Sequence, residues 1–408
     1  MRRLRWHDLV SVNLFWLGLN MRNNAVGAIY MPYLVDHFVR PEIRNTALGE
    51  MRTAGLIIAM LVQPAIGLLS DRYTSRWGRR RPFLVAGVLL DLACLSLIAA
   101  APDYWTLLAA VLLFQLTSNI SHGALQGLIP DLVPEEQRGA ASSVKSLFEL
   151  LPLVLLGVTI APLVAAGRFH LSVVVTGLLL TIPMLLTVVL VKERRLEEKP
   201  ATPLAPAMVR VLGMLAGIVA GALAGLAAGG AVGGLVGLVV WLLAGRQAGL
   251  NVGVAVGGVV AMVVAVVAGV WAGTLATIGR EVRRQPSFTW WTVNRLMFLA
   301  AITSIQGFAP YFLMYAFNVS REAAAGMTGT LITVVGGFTL VSALLSGRLA
   351  DRVGQKRLVG ISGVLATAGT LVLLATVWVP DMGVIYLAGC ILGLATGLFV
   401  TANWALGT

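Results

Sequence analysis

The chain is a succession of apolar runs of about 18–30 residues separated by short charged breaks, and that pattern leaves few folds open to it. A helix rising 1.5 Å per residue needs ~20 residues to cross the ~30 Å hydrocarbon core of a bilayer. Within lipid the backbone must satisfy its own hydrogen bonds, so only helices and closed barrels span. A barrel would show alternating segments of ~10 residues, and the sequence has none. Spans are expected near 9–33, 48–70, 82–101, 105–129, 143–166 and 171–191, then 288–316, 326–347, 358–377 and 384–406. Two Gly-rich apolar stretches lie between the sets, near 209–243 and 250–278. The fold class this predicts is an all-α polytopic membrane protein. The basic start MRRLRWHD enters a full-length span with polar residues inside it, unlike a cleavable signal.

The charge agrees. Only 12% of residues are charged, and the formal net charge of +12 is carried in short breaks between spans, which argues against a nucleic-acid partner. Of the 30 Lys and Arg residues, Arg40, Arg44, Arg52, Arg168, Arg246 and Arg321 fall on one set of alternate breaks, and Arg22 and Arg295 fall inside spans. All the others fall on the opposite set. The positive-inside rule then places the N-terminus in the cytoplasm of a cell membrane. It also favours an even number of spans in 209–278, because an odd number would reverse the bias downstream. The two cysteines, Cys94 and Cys390, sit in apolar runs and fit neither a disulfide framework nor a metal site. No phosphate-binding GxxxxGK[ST] stretch, metal-ligand spacing or other cofactor motif is present. Nothing in the sequence points to an enzyme, and ion gradients are the energy source left.

The break GLLSDRYTSRWGRRRPF at 67–83 has a weaker second copy. Gly67, Asp71 and Arg72 align with Gly347, Asp351 and Arg352. Gly78, Arg79 and Arg80 align with Gly354, Gln355 and Lys356 once residues 73–76 are taken as an insertion. Asp71 has the chemistry to cap a helix N-terminus, where the dipole and free N–H groups favour an anion, or to pair with the following arginines. Duplicated halves are a transporter signature.

These residues carry a resemblance. G-x-L-x-D-R-x-G-R-R between the second and third spans, repeated between the eighth and ninth, resembles the signature loop of the major facilitator superfamily. SDRYTSRWGRRRPF, IPDLVPEEQRGAAS at 129–142 and FTWWTVNRLMFLAAITSIQGFAPYF at 288–312 resemble the sucrose/proton symporter group and the glycoside-pentoside-hexuronide symporters. The resemblance implies two pseudo-repeated helical halves that rock about a midplane site, and a conformational latch at Gly67, Asp71, Arg72, Gly78, Arg79, Arg80, Gly347, Asp351 and Arg352. The expected organisation is an N-terminal six-helix half (1–191), a cytoplasmic linker (192–208), an inserted Gly-rich two-helix hairpin (209–280) and an incomplete C-terminal half (281–408) equivalent to family helices seven to ten. Against the family pattern the chain thus gains a hairpin and lacks the last two helices. The hairpin's glycines recur every four residues at 213–237 and 245–257, a spacing that keeps them on one face for close helix packing, within the hairpin or with a partner.

The resemblance also implies that spans one, four, seven and ten line the solute path, and polar residues concentrate in the first three. Gln115, Asn119, His122 and Gln126 fall on one face of span four. Asn20 and Asn24, with Arg22 near the midplane, mark span one. Trp291, Arg295 and Gln306 share a face of span seven. An aromatic ring beside amides and a guanidinium suits a sugar; interfacial anchoring by Trp and interhelical hydrogen bonding are the alternatives. For proton coupling the candidates are Asp91 in span three, Glu149 about two turns into span five, and His122; a structural ion pair is the alternative for Asp91, as it is for Arg22. The expected activity is proton-coupled symport of a small sugar or glycoside, with proton/drug antiport or a non-transporting receptor or assembly role as alternatives. The expected partners are the solute, a proton or other cation, and membrane lipid.

Overall fold

The computed structural model describes residues 3–193, 205–279 and 286–407. All regular structure among them is helical. Among the described residues eleven helices are long and apolar enough to cross a membrane. The first crossing is interrupted: α1 (Trp6–Asn24) passes through a π-helical turn (Ala25–Tyr30) into α2 (Met31–Phe38). α3 (Arg44–Ser70), α4 (Arg81–Ala99), α5 (Tyr104–Gln126), the short α6 (Leu128–Leu132), α7 (Arg138–Ala165) and α8 (Phe169–Leu190) follow. Then come α9 (Ala205–Ala244), α10 (Arg246–Ile278), α11 (Pro286–Phe317), α12 (Arg321–Val353), α13 (Gln355–Ala375) and α14 (Met382–Gly407).

The outer surface is apolar, unlike that of a water-soluble bundle. On α4, Leu84, Gly87, Val88, Asp91, Leu95 and Ile98 are buried at helical spacing, while Leu89, Leu90 and Leu97 are exposed. An apolar outer face and a carboxylate on the inner one suit a hydrocarbon solvent, where burial of apolar surface drives nothing and polar groups seek each other. The structure is that of an integral membrane protein.

Residues 1–201 with 302–406 form one compact unit, and residues 202–301 another. In the first unit α1 packs on α7 and α8, α5 on α3 and α4, and α12 on α7. The α7–α12 seam joins the two halves of the unit through small residues. A Cβ on Gly336 would lie 2.7 Å from Leu153 Cβ, and Gly329 faces Ala161. Backbones that approach this closely gain dispersion that bulkier residues would prevent. The signature loop and its second copy share one backbone requirement. Gly78 has φ +106° and Gly354 φ +89°, conformations that L side chains rarely adopt.

In the second unit α9 and α10 form a hairpin whose turn is the single residue Gly245, at φ +89°. Gly217, Gly225, Gly229, Gly233 and Gly237 lie against Gly273, Ala265, Ala261, Gly257 and Gly253 of the opposing helix. The four-residue glycine spacing on α9 is therefore the packing seam of the hairpin itself. Gly245 belongs to the turn and not to that seam, and on α10 the small-residue row runs on through Ala261 and Ala265 to Gly269 and Gly273. Most of the linker expected at 192–208, and the basic residues 280–284, lie outside the described residues.

Candidate functional site

Arg22 and Asp91 form an ion pair between α1 and α4, and both side chains have 0% exposure. Thr117 of α5 donates to the other carboxylate oxygen at 2.6 Å, and the Arg22 guanidinium lies 4.9 Å from the centre of the Phe114 ring. Asp91 thus accepts on both oxygens, whereas Arg22 Nε and Nη2 are buried without a hydrogen-bond partner. A fully enclosed charge pair is a high-stakes arrangement: each partner is tolerable only while the other is ionised beside it. Thr117 and Phe114 were missed from sequence. No spacing in the sequence marks the pairing, since Asp91 lies 8 residues before the end of α4 and Thr117 lies 13 residues into α5.

The four polar residues of α5 are not equivalent. Gln115 packs over Gly55 of α3, where a Cβ would sit 2.9 Å from its Cγ. Buried Asn119 donates its amide to the Gln115 carbonyl at 2.7 Å. His122 meets the edge of Trp16, with ring centres 5.4 Å apart, and lies 3.4 Å from the amide of exposed Gln126. Trp16 is only 3% exposed, its indole N–H is buried without a partner, and Lys145 of α7 rests 4.1 Å from its ring centre. Lys145 also pairs with Glu149 one turn on, at 3.5 Å. The structure therefore brings His122 and Glu149 together through two residues not singled out from sequence, Trp16 and Lys145. Because α7 begins at Arg138, Glu149 lies about three turns into its helix, and not two.

Asn20 and Asn24 of α1 turn their amide N–H₂ groups back on their own helix, to the Trp16 and Asn20 carbonyls, both at 2.9 Å. Their side-chain oxygens remain as acceptors on a half-buried face. On α11, Trp291 and Arg295 fall in the second unit, with the guanidinium 5.8 Å from the indole centre. Gln306 falls in the first unit, half-buried beside Gly307.

The signature loop builds an ionic knot around Arg80, whose side chain is 5% exposed. It pairs with Asp71 at 2.6 Å and Asp131 at 2.5 Å, and donates to Ser70 Oγ and the Ala124 carbonyl, each at 3.2 Å. Arg79 also pairs with Asp131. Asp71 caps no helix N-terminus. It follows the C-terminus of α3, where a carboxylate opposes the helix dipole and Arg80 neutralises it. The carboxylate at the start of α4 is Glu193, which accepts the Arg80 N–H at 2.9 and 3.1 Å and the Arg81 N–H at 3.3 Å. Arg72 is half-buried and Arg352 exposed. The side chain of Asp351 lies outside the described residues, and of Gly347 only the helical backbone is described.

Burial pushes the Glu193 carboxyl above its ordinary value, against the opposing pull of the Arg81 and Arg80 N–H groups and charges. A carboxyl raised in the folded state binds protons that the unfolded chain has released. Its contribution to stability is thus full below the ordinary carboxylate range and falls as pH rises from there through the raised value. Melting temperature measured against pH should show this decline in the native chain, and Glu193→Gln should flatten it; an unchanged slope would count against the assignment.

Comparison with known proteins shows the family. The model of the Major Facilitator Superfamily matches residues 19–288, and the chain belongs to that superfamily. It is 28% identical over 151 residues to the general alpha-glucoside permease of Schizosaccharomyces pombe, covering 33% of this chain and 27% of the permease. It is 38% identical over 79 residues to sucrose transport protein SUT1 of Oryza sativa subsp. japonica, covering 18% and 14%. The matches thus span about a quarter or less of these relatives' length. Among solved structures it is similar to the xylose transporter XylE from E. coli, in a partially occluded inward-open conformation (TM-score 0.59, 13% identity, 98% of this chain and 90% of that one). It is also similar to a POT family transporter in complex with a thioalcohol-conjugated peptide (TM-score 0.63, 14% identity, 96% and 82%). At such identities these structures speak for the fold.

Proposed function

We propose that this protein is a proton-coupled symporter of a sugar or glycoside, working by alternating access in a cell membrane with its N-terminus in the cytoplasm. The observation that carries the reading is the enclosed Arg22–Asp91 pair, a titratable carboxylate paired with a cation on the helix carrying Asn20 and Asn24. Protonating Asp91 frees the guanidinium and so offers a way to tie a proton to the position of α1. Sugar hydroxyls find acceptors at Asn20, Asn24 and Asn119 and further partners at Gln115, His122 and Gln126, with Arg22 and Gln306 completing the set in the first unit; Trp291 and Arg295 are candidates within the second unit taken by itself. Glu149, paired with Lys145 beside His122, is the second candidate for carrying the proton. The sucrose and alpha-glucoside transporters among its relatives support the solute class. The latch role belongs to the Arg80 knot and to the second copy at Gly347, Asp351 and Arg352. The excess of Lys and Arg on one side supports the orientation.

Proteoliposomes test the reading. Sucrose or maltose should accumulate when the outside is made acidic, and a protonophore should abolish the gradient. Accumulation only with an acidic interior would mean antiport. Ligand-induced stabilisation without accumulation would mean a receptor.

A further inference from the structure

At the end of the first unit that carries the α2–α3 turn at 39–43 and the α11–α12 turn at 318–320, here called the distal end, the two halves meet in a layered set of contacts. Arg44 pairs with Asp36 at 2.6 Å and lies over Tyr311 at 4.8 Å. The Tyr311 hydroxyl donates to the Pro32 carbonyl at 3.0 Å. Tyr33 donates to Glu322 at 3.4 Å, and Arg321 lies over its ring. Each of these cations has an acid beside it. One layer deeper, Arg52 of α3 does not: among the described residues no carboxylate pairs with it. Its Nη2 donates instead to two backbone carbonyls, Gly27 at 2.6 Å and Gly307 at 3.2 Å, one from each half.

The sequence explains why the first of those carbonyls is available, and why the turn around the second is weakened. In the π-helical turn Met31 N–H reaches back five residues to Val26. The next donor in that register is position 32, a proline without an N–H. The Gly27 carbonyl is thus left without its in-helix donor, and a buried acceptor in that condition needs a partner from elsewhere. On α11, Pro310 removes the donor that would reach back to residue 306, loosening the turn that contains Gly307. Glycine at 307 makes room for the Arg52 guanidinium, which occupies the space a Cβ would take. The guanidinium also lies 5.5 Å from the Phe308 ring centre.

We propose that Arg52 is the latch of the distal gate. It closes two proline-loosened helix turns, one in each half, and it holds the distal end shut and Gln306, next to Gly307, in place. Opening the gate separates the two carbonyls, and the guanidinium must then find water in their stead. A latch of this kind is tuned by backbone acceptors, so no titration at the distal end releases it. The inference rests on membership of the superfamily and on the gate geometry, and not on which solute is carried.

The test uses the whole protein in lipid nanodiscs, with Cys94 and Cys390 replaced by Ala and spin labels at Glu42→Cys and Tyr315→Cys. Pulsed electron-electron distances report the distal separation. The parent should show chiefly the short distance. Arg52→Gln should raise the ratio of long to short distances about tenfold, since a charge-assisted pair of hydrogen bonds is lost. Gly307→Ala should do the same with the charge retained, because its methyl group evicts the guanidinium. A helix-interior Gly→Ala change favours folding, so this variant decides the matter even where Arg52→Gln fails to fold. Gly337→Ala of α12, whose Cβ meets open space, should leave the distribution as in the parent. An unchanged distribution in Gly307→Ala overturns the proposal. So does a shift of equal size in Gly337→Ala.

Discussion

Replacing either Arg22 or Asp91 alone is expected to destabilise the protein by about 3–5 kcal/mol, because each change strands the other charge in an enclosed site. Arg22→Met and Asp91→Leu together should recover most of that loss, since a buried pair replaced by apolar groups of similar volume is often neutral or better. The double variant is the informative one. If Asp91 carries the coupled proton, the recovered protein should be stable by thermal melting yet fail to accumulate solute against a pH gradient. Downhill equilibration tests the other role given to Arg22: its loss along with accumulation would mean that the guanidinium is needed to hold the solute. Gradient-driven accumulation by a stable double variant would reduce the pair to a packing device and leave Glu149 as the coupling carboxylate.

Arg80→Ala should cost about 3 kcal/mol and cut the maximal transport rate about tenfold. Hydrogen bonds to charged groups contribute ~1.5–3 kcal/mol each and do not add within one network. Arg80 serves four acceptors from a nearly enclosed position, whereas Arg79 serves Asp131 from a more exposed one. Arg79→Ala should therefore have a much smaller effect, and parity between the two would argue that the arginines merely set topology. Gly127→Ala supplies an independent route, because the Arg80 guanidinium sits where a Cβ at 127 would project. Melting curves and initial uptake rates on the three variants distinguish these outcomes.

Helices were easy to read from sequence because each had to satisfy its own backbone in lipid, which forces long uninterrupted runs. The glycines of the two signature loops were legible too, and their positive φ values supply the reason. What escaped were pairings across space. Asp91 could be named as an acid in a span, and Arg22 as a buried cation, but nothing in their 69-residue separation joins them. Glu193 looked like one charge in a polar segment, and its role at the start of α4 depends on where α8 happens to end. Trp16 and Lys145 read as apolar filling and loop charge until α1 and α7 are laid side by side. The π-helical turn was hidden because its cause, a glycine five residues ahead of a proline, is also compatible with an ordinary kink. Glycines inside helices were the underused signal. Gly127 and Gly307 each make room for an arginine head group, a reason for glycine that differs from helix-to-helix packing.

The one-residue turn at Gly245 has a mechanical consequence. From Met208 to Ala244 α9 runs for 37 residues, with Arg210 as its one charged residue, about 55 Å of helix against ~30 Å of hydrocarbon. With only one residue in the turn and glycine along the seam, neither helix can shorten its reach by bending away from the other. Standing the rod within a bilayer of ordinary thickness by tilt alone would take roughly 55°, beyond the 0–40° over which membrane helices usually lean. A hairpin standing in the bilayer should therefore be more stable in thick membranes than in thin ones, and melting temperature against acyl-chain length measures this.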